Sequence, residues 1–141
     1  MTGITRQLAE FAANLKPKDI PEEVVARTRL LILDITGIMV RARHDAESTP
    51  SMMGAIQRLG LNQGRYLVLG DPTGYASSAA ALINGTLAHS LDFDDTHAAA
   101  SLHSSAPIFP AALTAAEMTS ASGQDLIAAC VAGYEVQVRL A

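Results

Sequence analysis

An all-α bundle of about six helices is the fold class this sequence predicts, and three observations lead to it. Apolar residues recur at helical spacing through most of the chain. Hydrophobic residues make up 49% of the composition and aromatics only 4%, so the core must come from Ala, Leu, Ile, Val and Met, which suits close helix-on-helix packing. The one extended piece in view, Gly64 to Gly70, is short. At 141 residues the chain is long enough for a single domain with a hydrophobic core.

Taken in order, Ile4, Leu8, Phe11, Ala12 and Leu15 mark a first helix, which should stop where Pro17 forces Lys16 out of the helical region. Pro21-Glu22-Glu23 is a good first turn, with a fixed φ and two negative charges at the positive end of the helix dipole. From there Val24, Thr28, Leu31, Ile35 and Ile38 form one face of a second helix to about Val40. Asp34 on that helix should point outward or accept hydrogen bonds, since an unpaired buried carboxylate is costly. Arg41 to Thr49 reads as a polar connector, and Ser48 or Thr49 before Pro50 as the cap of a third helix that ends at Gly60. Asp71-Pro72-Thr73-Gly74 reads as a turn. Ser77 should cap an Ala-rich fourth helix whose small residues let another backbone approach closely. Pro107 restarts helix, with Pro110 expected in its first turn, as far as about Thr119. Ser122-Gly-Gln-Asp125 resembles a capping box and opens a sixth helix. No Gly or Pro closes that helix before Ala141, so the sequence is expected to be the opening of a longer one.

Composition excludes several function classes. Ten Lys plus Arg against fourteen Asp plus Glu leave a net charge of −4 with no basic stripe, which argues against a nucleic-acid partner. No apolar run is long enough to span a bilayer and the first residues lack a signal-peptide core, so a cytoplasmic protein with no membrane partner is expected. A single cysteine, Cys130 in an Ala-rich run, cannot form an internal disulfide and reads as a small buried apolar group. There is neither a Gly-rich phosphate loop nor a Gly-x-Ser-x-Gly nucleophile turn.

Chemistry concentrates in one segment, HSLDFDDTHAAASLH, which holds His89, Asp92, Asp94, Asp95, Thr96, His97 and His103, three of the four histidines among them. His103 can exchange a proton near neutral pH. A carboxylate such as Asp92 can orient an imidazole or accept a substrate hydroxyl, and Thr96 offers a short, stiff hydrogen-bonding group. Structure alone offers a rival account, in which Asp94, Asp95 and Thr96 satisfy turn amides and the histidines cap helix carbonyls. A divalent metal is a further rival, although neither a His-Glu-x-x-His nor a Cys/His pattern is present, so no metal or other cofactor is expected.

The run NGTLAHSLDFDDTHAAASLHSSAPIFPAAL, with Gly133-Tyr134-Glu135-Val136 and Arg139 after it, resembles the MmgE/PrpD family. More loosely, the resemblance reaches the first two helices through Leu33-Asp34 and Gly37. It implies a two-part enzyme, a large helical domain followed by an α+β lid, assembled as a homodimer, of which residues 1–141 are the incomplete opening. It implies a lyase or isomerase acting on a small di- or tricarboxylic acid, with a 2-methylcitrate dehydratase as the expected member. By the same resemblance His103, Asp92 and Thr96 are the catalytic residues, Asn84, His89 and Ser104 are candidate substrate contacts, and Asp94 and Asp95 shape the loop. Two departures stand out. Ser104 follows His103 where the family commonly has proline, and the family's later histidine, lysine and tyrosine contributions would fall beyond Ala141. No Lys or Arg occurs between Arg65 and Arg139, so cations facing a polycarboxylate are expected from elsewhere. A helical module that only associates, with itself or a complementary chain, is the alternative from a different class.

Overall fold

The computed structural model describes residues 3–141. In chain order it has α1 (Ile4–Asn14), a 3-10 turn (Pro17–Asp19), α2 (Glu22–Asp45), α3 (Thr49–Arg58), β1 (Tyr66–Val68), β2 (Asp71–Tyr75), α4 (Ser77–His89), α5 (Ser105–Thr119) and α6 (Gly123–Leu140). The mostly helical architecture agrees with the sequence. None of these helices is long and apolar enough to cross a membrane.

At the centre lies α4. Ala79, Ala80, Ile83, Leu87 and Ala88 are buried along it, and it packs against α5, α2, β1 and α3. Ile35, Met39, Ile56, Val68 and Phe109 complete the main core around it. A smaller cluster of Ile20, Ala128 and Val131 joins the 3-10 turn to α6, while α1 contacts α6 and buries no residue fully.

Four boundaries differ from the sequence reading. Helix α2 runs to Asp45, five residues past Val40, because Met39 and Ala42 prolong the face begun by Ile35 and Ile38 and are fully buried. Asp34 on its other side is exposed, as one of the two expectations had it. Asp71 to Gly74 is strand rather than turn; it pairs antiparallel with β1, and the chain reverses at Gly70, whose φ is 82°. Ser77 is the first helical residue and gives no side-chain cap, the N-cap position being Ala76. Pro110 lies inside α5, not in its first turn, because the helix already begins at Ser105. Pro110 has no N–H for the carbonyl four residues back, that of Ala106, a loss tolerated where α5 packs closely against α4.

Other local signals act as read. Helix α3 closes in a Schellman motif at Gly60 (φ 68°), with Leu61 N–H on the Ile56 carbonyl at 3.1 Å and Gly60 N–H on that of Gln57 at 3.0 Å. The capping box on α6 is complete, Ser122 Oγ accepting from Asp125 N–H at 3.2 Å.

Candidate active site

His89 is the last residue of α4, and residues 90–104 carry the chain over to α5. The connection is held in three ways. Asp92 adopts left-handed backbone (φ 55°), which Asp tolerates better than most residues, and its N–H reaches the His89 carbonyl at 3.0 Å. His97 and Leu102 exchange backbone hydrogen bonds at 2.8 and 3.4 Å, folding residues 97–102 back on themselves. Asp95 Oδ1 accepts the N–H of Ser105 at 3.1 Å, which supplies a negative charge to the start of α5 in place of a Ser104 cap.

These constraints bring His89 and His103 together across a buried carboxylate. His89 Nδ1 lies 2.9 Å from Asp94 Oδ1 and 3.1 Å from Oδ2. His103 Nδ1 is 3.3 Å from Asp94 Oδ2, without hydrogen-bond alignment, so this nitrogen is left unpaired. The two rings meet edge to face, centroids 4.8 Å apart. Asp94 has a fully buried side chain, whereas those of His89 and His103 are 54% and 35% exposed. Both histidines line a cleft of about 650 Å³ between α4 and α5, whose other walls are mainly apolar, among them Gly85, Ala106, Pro107 and Pro110. An apolar cleft with a few convergent polar groups is the usual form of a small-molecule site.

Asp92 is exposed beside this pair. One ligand atom each from His89, Asp92, Asp94 and His103 falls within 4.8 Å of the others, the only arrangement among the described residues that could hold a divalent ion.

Thr96 and Ser104 are not on the cleft. They line a second pocket of about 300 Å³ with Arg27, His97, Tyr134 and Glu135. Ser104 Oγ is buried there without a partner. Beside it Ser105 Oγ and the Tyr134 hydroxyl share a 2.5 Å hydrogen bond. Burial pushes the Tyr134 hydroxyl up to about 12, against the lowering effect of Ser105 and with the Asp95 charge adding to the rise. Asn84 faces neither space. Its side chain accepts from Leu69 N–H at 2.9 Å and donates to the Leu67 carbonyl at 2.8 Å, so both ends of the amide hold the backbone at strand β1 and the residue after it.

Of the six residues singled out from the sequence, then, His89 and His103 share the cleft with Asp92 at its edge, Thr96 and Ser104 share the second pocket, and Asn84 is interior. Sequence reasoning missed Asp94 as the carboxylate between the imidazoles, the position it had given to Asp92. The three acidic residues are equivalent in sequence, and only the fold decides which one is buried. It also missed the Ser105 and Tyr134 pair, for which residues 29 apart give no spacing signal.

Residues 6–141 match the family model of the MmgE/PrpD N-terminal domain. The chain is 33% identical over 98% of its length to a cis-aconitate decarboxylase-like protein of Aspergillus oryzae, of which it covers 30%. It is 31% identical over 99% of its length to the cis-aconitate decarboxylase of Aspergillus terreus, covering 29% of that protein. The human cis-aconitate decarboxylase is 30% identical over 99% of the chain, which again covers 30%. The chain thus spans less than a third of the length of these curated relatives.

Proposed function

The chain belongs to the MmgE/PrpD family, and from that membership we propose that it forms the helical opening of a lyase acting on a small tricarboxylic or dicarboxylic acid. The observation that carries this reading is the pair of imidazoles, His89 and His103, on the wall of a mainly apolar cleft. Named activities of the relatives favour decarboxylation of a cis-aconitate-like acid over the 2-methylcitrate dehydration expected from sequence.

In that reaction the bond to the departing carboxylate breaks and leaves its electron pair on carbon, stabilised by the neighbouring unsaturated system. A proton must then reach one end of that delocalised carbon system. His103, at the cleft wall, is the proposed general acid, with His89 beside it as a substrate contact. Asp92, at the edge of the pair, is the proposed polar contact. Thr96 enters as a positioning group and Ser104 as a further contact, both from the second pocket. Asn84 is assigned no contact with substrate, because its amide is already used. An apolar lining favours decarboxylation, since a carboxylate removed from water loses the hydration that stabilises it more than the dispersed charge of the transition state.

The cleft lining includes no Lys or Arg. The cations that hold the remaining carboxylates are therefore proposed to come from the rest of a longer protein, and a homodimer is part of the same proposal. The test is the full-length enzyme with His103→Ala, assayed for CO2 release from cis-aconitate. We expect turnover to fall by about two to four powers of ten with the fold intact. Unchanged turnover would sink the assignment, and water loss from 2-methylcitrate without CO2 release would return the reaction to dehydration.

A further inference from the structure

Asp94 has a fully buried side chain, and burying a carboxylate without partners costs several kcal/mol or shifts it to the neutral form. Its oxygens meet two groups among the described residues, the Nδ1 atoms of His89 and His103. Among the described residues no Lys, Arg or backbone amide reaches it. The neighbouring Asp95 and Asp92 differ from it, the first bound to the start of α5 and the second exposed.

We propose that Asp94 is a positioning residue which holds both imidazoles by Nδ1, so that each presents Nε2 to the cleft. The geometry favours this for His89, whose Nδ1 is within hydrogen-bond distance of both carboxylate oxygens. For His103 a small turn of the ring brings the unpaired Nδ1 into alignment across 3.3 Å. A neutral imidazole that donates from Nδ1 keeps its lone pair on Nε2, where it can take a proton; the imidazolium formed is stabilised by the carboxylate behind it. His89 gains a defined part as well, since one carboxylate fixes both rings and a change at either moves the other. This inference rests on the acid/base role proposed for His103 but adds a residue that touches no substrate.

The experiment uses the full-length enzyme carrying Asp94→Asn, with Ser122→Ala, which breaks the remote capping box of α6, as a control for mild destabilisation. We expect kcat to fall about a hundredfold with KM changed less than about threefold, while Ser122→Ala keeps wild-type kcat. In 15N-histidine spectra, signals assigned through His89→Gln and His103→Gln should report Nδ1-protonated rings in the wild type and lose that signature in Asp94→Asn. Wild-type kcat in a folded Asp94→Asn enzyme, or Nε2-protonated rings in the wild type, would overturn the proposal. The spectrum of the wild type reads the tautomer without substrate, so it judges Asp94 even where Asp94→Asn fails to fold. Retained turnover in His103→Ala would instead refute the acid/base reading and leave the tautomer result standing.

Discussion

Replacing Asn84 by alanine separates a structural amide from a substrate contact. Asn84 is fully buried, and its amide bonds the outer edge of β1, accepting from Leu69 N–H and donating to the Leu67 carbonyl as a neighbouring strand would. Alanine leaves both peptide groups without a partner. Each unsatisfied group costs about 1–3 kcal/mol, and because these two are only partly buried the lower half of that range applies. The cavity left by the truncated side chain adds about 1 kcal/mol, for a total of about 3–5 kcal/mol, a large share of ordinary domain stability. With an unfolding entropy of about 2.1 cal/mol/K per residue over 141 residues, that loss lowers Tm by about 10–17 °C. Thermal unfolding followed by circular dichroism at 222 nm measures it. Asn84→Asp should fall in the same direction, since it keeps an acceptor for Leu69 but sets a carboxylate oxygen against the Leu67 carbonyl. A melting temperature within about 3 °C of wild type, together with impaired substrate binding by the full-length enzyme, would refute the reasoning and return Asn84 to the substrate.

Three further outcomes are expected. Burial raises the Asp71 carboxyl, but the Thr73 amide and the Arg43 guanidinium, whose Nη2 is 2.6 Å away, outweigh it and hold the group below its ordinary 3.8. This contribution to stability is present above pH 3.8 and is lost as pH falls through the lower folded value, so urea midpoints compared at pH 5 and pH 3 should drop less in Arg43→Gln than in wild type. Gly37, in the middle of α2 with open space where a Cβ would stand, should give a more stable 141-residue chain as Gly37→Ala, by about 1 kcal/mol in denaturant unfolding. Burial pushes the Cys130 thiol up to about 11, so a disulfide reagent at pH 8 should modify it only at the rate of unfolding; rapid labelling of the native chain would contradict its packing.

How far the sequence could be read depended on whether a signal was local. The Gly60 stop, the Pro21 start and the Ser122–Asp125 box are each complete within about six residues, and all three formed where the pattern put them. What failed depended on distant partners. Gly74 looks like a turn residue, yet its use is close approach of two backbones: a Cβ there would overlap the Gly64 carbonyl, and one on Gly64 would overlap that of Tyr75. Nothing within residues 71–74 announces Gly64. The polar run after Val40 looked like a connector because Arg41, Arg43 and Asp45 dominate it, whereas Ala42, fully buried, keeps the helix packed. For the site, clustering singled out the segment but could not show which of its carboxylates the fold buries.

That division changes the electrostatics of the cleft. In the sequence Asp92, Asp94 and Asp95 form one acidic feature, which would repel a polycarboxylate at every approach. In the fold they belong to three environments. Asp94 is buried behind two imidazoles, and Asp95 serves the first amide of α5 from the other side of the connection. Only Asp92 is left open beside the cleft, its carboxylate without a hydrogen bond among the described residues. An anionic substrate arriving there would meet one uncompensated carboxylate, not three, flanked by two rings that can each carry a positive charge. A single cation brought close to Asp92 is enough to balance that charge. In the proposed lyase, a cation beside Asp92 would balance that charge and the two imidazoles would deliver the proton.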